Sequence, residues 1–135
     1  MQAILNMAAD DGRSIPRGSH GGRLHVRYCL VEDRAPVPNA QVTESFRVTT
    51  DPYDVGGSIR TGTYRTDRRG FFDDYIGFST RQELPDDFRL VADQEIRANG
   101  EVVARNRVQW SATNVSVIAT DGRRPRQVAA RVTLH

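Results

Sequence analysis

The chain has 135 residues, of which 38% are hydrophobic and 27% charged, values that suit one folded domain and exclude a wholly disordered chain. No apolar run approaches the roughly 18 residues a membrane helix needs, and Ala3-Ile4-Leu5 followed by Asn6 is too short for the core of a secretory signal. The formal net charge is only +2, yet all 19 basic residues are arginine, whose planar fork suits carboxylate and phosphate partners.

Residues 1–22 read as a flexible or partner-ordered arm, because the stretch from Ala8 to Gly22 is rich in turn formers and lacks sustained periodicity. Its apolar and basic residues Ile4, Leu5, Ile15 and Arg17 are candidate contacts with a neighbouring subunit. Residues 23–135 read as a single β-sandwich domain. Leu24, Val26, Tyr28 and Leu30 share one face of a first strand, and Val42, Phe46 and Val48 share one face of a second. Cys29 lies on the opposite face of the first strand; as the only cysteine it leaves no internal disulfide and no cysteine-based zinc site.

Ser58–Thr66 and Phe71–Phe78 form the next two strands around the turn Asp67-Arg68-Arg69-Gly70, with Phe72, Ile76 and Phe78 pointing inward. Phe88–Arg97 and Val102–Trp110 flank Asn99-Gly100, a pair suited to the left-handed dihedrals of a tight hairpin. The apolar residues of this hairpin change face along its length, which calls for a bulge or bend near Asn106. Val115, Val117 and Ala119 mark a seventh strand, and Val128, Ala130, Val132 and Leu134 an eighth. The expected fold is therefore all-β, an antiparallel immunoglobulin-like or transthyretin-like sandwich of about eight strands with an extended N-terminal arm.

Pro36-Val37-Pro38-Asn39-Ala40-Gln41-Val42, followed by Thr66-Asp67-Arg68-Arg69-Gly70-Phe71-Phe72, resembles the conserved core of carboxypeptidase-regulatory-like and transthyretin-like sandwich modules. The resemblance covers Arg23 to Phe78. It implies a rigid spacer, adhesive unit or assembly piece. No cofactor is expected.

Two enzyme families built on related sandwiches fit poorly. Intradiol dioxygenases hold ferric iron with two tyrosines and two histidines, whereas His20, His25 and His135 form no plausible ligand pair here. In transthyretin-like hydroxyisourate hydrolases, His25 and Arg47 could imitate two of the required residues, but Val132-Thr133-Leu134-His135 lacks the required tail. Glu44 is the odd residue, since strict alternation puts it on the apolar face of its strand; pairing with an arginine or a place near a sheet edge is its expected resolution. Asp51 and Asp54 are weak calcium candidates, with Asp73, Asp74, Asp86 and Asp87 elsewhere. Two arginine groups, Arg65 with Arg68 and Arg69, and Arg123 with Arg124 and Arg126, are candidate contacts for phosphate or acidic sugar, a solvated turn being the commoner explanation. With aromatics at 7%, little suggests a stacking platform for nucleic acid.

The expectation is thus a non-enzymatic assembly subunit, made in the cytoplasm and incorporated into a virion, appendage or surface layer, with copies of itself or other subunits as partners. The alternative is a monomeric module that recognises carbohydrate or protein through its loops. A transthyretin-like hydrolase ranks third.

Overall fold

Alternating side chains become strands through nearly all of the chain that can be described. A computed structural model places residues 1–10, 20–50, 59–80, 84–111, 114–120 and 127–131. These form β1 (Gln2–Asp10), β2 (His20–Glu32), β3 (Ala35–Pro36), β4 (Gln41–Thr50), β5 (Ile59–Arg65), β6 (Phe71–Thr80), β7 (Arg89–Ala98), β8 (Glu101–Ser111), β9 (Asn114–Ala119) and β10 (Gln127–Arg131). All pairings are antiparallel.

In the smaller sheet β2 is central, with β1 along one side and β6 and the two-residue β3 along the other. The larger sheet runs β10-β9-β8-β7-β4-β5. The inner faces of the two sheets meet in one apolar core. Leu24, Val26, Leu30, Phe72, Ile76 and Phe78 come from the smaller sheet, and Val42, Phe46, Leu90, Ile96, Val108, Trp110, Val115 and Val117 from the larger. Each such large side chain contributes about 1.5–3 kcal/mol on burial. Phe78 packs on Phe88 at 5.2 Å and edge-on to Trp110 at 5.1 Å, which closes one end of the core.

The first ten residues are not an arm. Gln2–Asp10 forms β1, paired with β2 from Gln2↔Val31 to Asp10↔Leu24, and Ala3 and Leu5 are buried in the core. Their alternation is broken because the register shifts between Leu5 and Met7, so that Asn6 is an extra residue. Ala8 then packs on the core where strict alternation from Leu5 would place Met7, which is instead exposed. The second strand also starts earlier than expected, at His20.

The β7–β8 hairpin turns at Asn99 (φ 52°) and Gly100 (φ 76°), both left-handed as its sequence suggested. Its face change falls at Val103, not near Asn106: Arg97 pairs with Val102 and Ile96 with Ala104, leaving Val103 as the bulged residue. Asn106 itself faces the core. A second tight hairpin joins β2 to β3 through Asp33 and Arg34, both at positive φ.

Residues 36–42 and 66–72 are tied together at one end of the sandwich. The buried Thr66 hydroxyl donates to the Val37 carbonyl at 2.8 Å and accepts from the Ala40 amide at 2.8 Å. The Asp67 carboxylate accepts from the amides of Arg69 and Phe71, and Gly70 (φ 79°) follows in the left-handed conformation. A β-carbon on Gly70 would stand 2.7 Å from the Leu30 carbonyl oxygen, so the turn has room only for glycine.

Candidate functional site

Three places gather polar chemistry: the middle of the core and the two outer faces of the sandwich. In the core, Tyr28 and Asp74 from the smaller sheet meet Glu44, Tyr64, Gln94 and Asn106 from the larger. Asp74 shares the inward phase of β6 with Phe72, Ile76 and Phe78, and Glu44 shares that of β4 with Val42 and Phe46. The Tyr28 hydroxyl donates to Gln94 Oε1 at 2.5 Å, and Asn106 Nδ2 donates to the same oxygen at 2.8 Å. Gln94 Nε2 donates to one Asp74 oxygen at 2.8 Å, and the Tyr64 hydroxyl donates to the other at 2.5 Å.

Burial above all, reinforced by the Asp74 and Glu44 charges, pushes the Tyr28 hydroxyl well above the ordinary phenol range; its bonds to Gln94 and Asn106 act the other way. Glu44 is buried, as alternation indicated, on β4, the strand next to the edge strand β5, between Gly62 on β5 and Ile96 on β7. Both carboxylates have no solvent-exposed surface, so neither can touch a dissolved substrate in this conformation.

On the outer face of the smaller sheet, the residues of β2 and β6 that alternate with the core form a continuous strip. His25 stacks on Tyr75 with ring centres 5.0 Å apart, and its Nε2 lies 2.7 Å from Asp73 Oδ1. The Arg23 guanidinium sits over Tyr75 at 5.5 Å and that of Arg27 over Phe71 at 4.5 Å. Cys29 ends the strip, its thiol 3.6 Å from the Arg69 carbonyl and pushed up in pKa chiefly by desolvation.

On the outer face of the larger sheet, a concave patch of about 510 Å3 lies over Ser45 and Arg47 on β4, Asp93 and Glu95 on β7, and Arg105 and Arg107 on β8. Glu95 accepts from Arg97 at 2.7 Å and from Arg105 at 3.5 Å, and the Arg97 bond foremost holds its carboxyl below the usual range. Arg107 stands 3.9 Å from Asp93.

Against this geometry the expected site residues divide. Leu5 is in the core and cannot meet a partner, whereas Ile4 is half-buried on the outward phase of β1. Arg68 and Arg69 are exposed on the β5–β6 turn. Ile15, Arg17, Asp51, Asp54, Arg124 and Arg126 lie outside the described residues. Of the other acidic calcium candidates, Asp73 is engaged by His25 and Asp74 by Tyr64 and Gln94, while Asp86 and Asp87 sit in the exposed turn before β7. His25 and Arg47 stand on opposite outer faces of the sandwich, so they cannot share a hydrolase site.

The ring-bearing strip on β2 and β6 was missed. Its signal was present: Phe71 and Tyr75 occupy the polar phase of β6, where aromatic side chains have no core to fill.

No family model matches the chain, and no curated protein and no solved structure resembles it significantly.

Proposed function

We propose that this chain is a non-enzymatic β-sandwich subunit that assembles with copies of itself, as in a virion, appendage or surface layer, by pairing along the edge of β6. The observation that carries this reading is the state of that edge. Among the described residues the ten-residue β6 pairs only with β2, which leaves a long row of backbone donors and acceptors on its other side. The face beside that edge bears Phe71, Tyr75, Arg23 and Arg27, the aromatic and arginine types that dominate contact energies at protein interfaces. Strand addition would supply the main-chain bonds, and the strip would supply selectivity.

The non-enzymatic part rests on the sealed position of Asp74 and Glu44 and on the separation of His25 from Arg47. The resemblance to carboxypeptidase-regulatory-like modules, in which the domain serves as a spacer or assembly piece, adds weight through the Thr66 tie between its two motif segments.

Light scattering coupled to size-exclusion chromatography tests the reading. The full chain should associate increasingly with concentration. Tyr75→Lys, which removes the stacked ring and places a cation beside the edge, should remain monomeric and folded. Concentration-independent monomers of the unmodified chain would overturn the proposal.

A further inference from the structure

The concave outer face of the larger sheet lies on the side of the sandwich away from the ring-bearing strip, and its charges are unbalanced. Among the described residues of that face, four arginines on three adjacent strands, Arg47, Arg97, Arg105 and Arg107, stand beside two carboxylates, Asp93 and Glu95. Glu95 is shared by Arg97 and Arg105. Asp93 sits in register between Arg47 and Arg107; it approaches Arg107 only at 3.9 Å and makes no ion pair with Arg47. Arg47 has no ion-pair partner among the described residues. The two acids thus hold some guanidinium groups in place while leaving donor capacity pointed outward.

From this we infer that the face is a docking site for an extended acidic peptide segment of a partner protein, with carboxylates pairing to Arg47 and Arg107. Charge complementarity selects an anionic occupant, and the planar fork of arginine matches a carboxylate with two parallel bonds. The spacing suits a peptide. Arg47 and Arg107 lie two strands apart, so their backbones are separated by roughly 10 Å, while an extended peptide repeats its same-face side chains about every 7 Å. Two long arginine stems cover the difference. A patch of about 510 Å3 holds a few side chains.

Sugar and single-stranded nucleic acid are weaker fits. Among the described residues no aromatic side chain lies on this outer face, since Phe46, Tyr64 and Trp110 all turn inward, and stacking platforms are what those ligands use. Asp93 and Glu95 would also repel a continuous run of phosphates.

The inference does not depend on the β6 edge, and its test reads a different face. Full-length protein is titrated with fluorescent poly-L-glutamate at low and at high salt, beside the double variant Arg47→Ser/Arg107→Ser and the control Arg68→Ser on the distant β5–β6 turn. Binding should weaken with salt and fall by about tenfold or more in the double variant, as expected for two lost charge-assisted pairs, and should be unchanged in the control. Absence of binding overturns the inference, as does equal binding by the double variant. A sulfated oligosaccharide that binds these same arginines more tightly than poly-L-glutamate would replace the peptide as the occupant and overturn it too.

Discussion

Removing the Asp74 carboxylate would take the acceptor from two donors, the half-buried Tyr64 hydroxyl and the buried Gln94 amide. Each unsatisfied group costs about 1–3 kcal/mol, so Asp74→Ala should lower stability by about 2–5 kcal/mol in urea unfolding. Tyr28→Phe is milder, at about 1 kcal/mol, because Gln94 Oε1 keeps its bond from Asn106. Tyr28 also sets the response to base. Its proton is held in the fold by burial first and then by Asp74 and Glu44, whereas in the unfolded chain it ionises near pH 10. A raised folded-state value means that the contribution is complete below the unfolded value and disappears as pH rises through the folded one. Stability should therefore decline above about pH 10, and Tyr28→Phe should flatten that decline in a series of urea titrations across alkaline pH.

At the scale of elements, β1 is the sharpest test of the fold. If Gln2–Asp10 is a true strand, Leu5→Ala removes a core side chain and should cost about 2–5 kcal/mol; if it were a loose arm, the change would be nearly silent. The two left-handed glycines separate local strain from crowding. Gly100→Ala meets nothing within 4 Å and should cost only about 1 kcal/mol, while Gly70→Ala drives a methyl into the Leu30 carbonyl and should cost distinctly more, both read from thermal melts. Stretches of unbroken alternation, such as Leu24 to Leu30 in β2, Val42 to Val48 in β4 and Phe72 to Phe78 in β6, were legible in sequence because one period describes each of them. Where a bulge resets the period the reading slipped. Asn6 hid β1 altogether, and the irregularity expected near Asn106 falls at Val103 instead.

For the molecule as a whole, sequence pattern conveyed the sandwich but not the arrangement of its polar residues. Tyr28 and Gln94 are 66 residues apart, and Tyr28 and Asn106 are 78 apart, so no local spacing announces that they bond. Asp73 and Asp74 were grouped together among the acidic residues, and only the phase of β6 separates the outward one from the buried one. The outer faces were opaque for a related reason: which strands lie side by side decides whether Arg47, Asp93 and Arg107 form a row or three scattered charges.

The interior network carries a further consequence. Two apolar sheet faces alone could slide over one another at little cost, since one aliphatic contact replaces another. Here a shift of two residues along β6 would bring Ile76 or Phe72 to the place of Asp74 and leave Gln94 and Tyr64 without their acceptor. The cluster therefore works as a key in a keyway: it admits one setting of sheet against sheet, and so fixes the angle at which each outer face is presented to whatever lies beyond it.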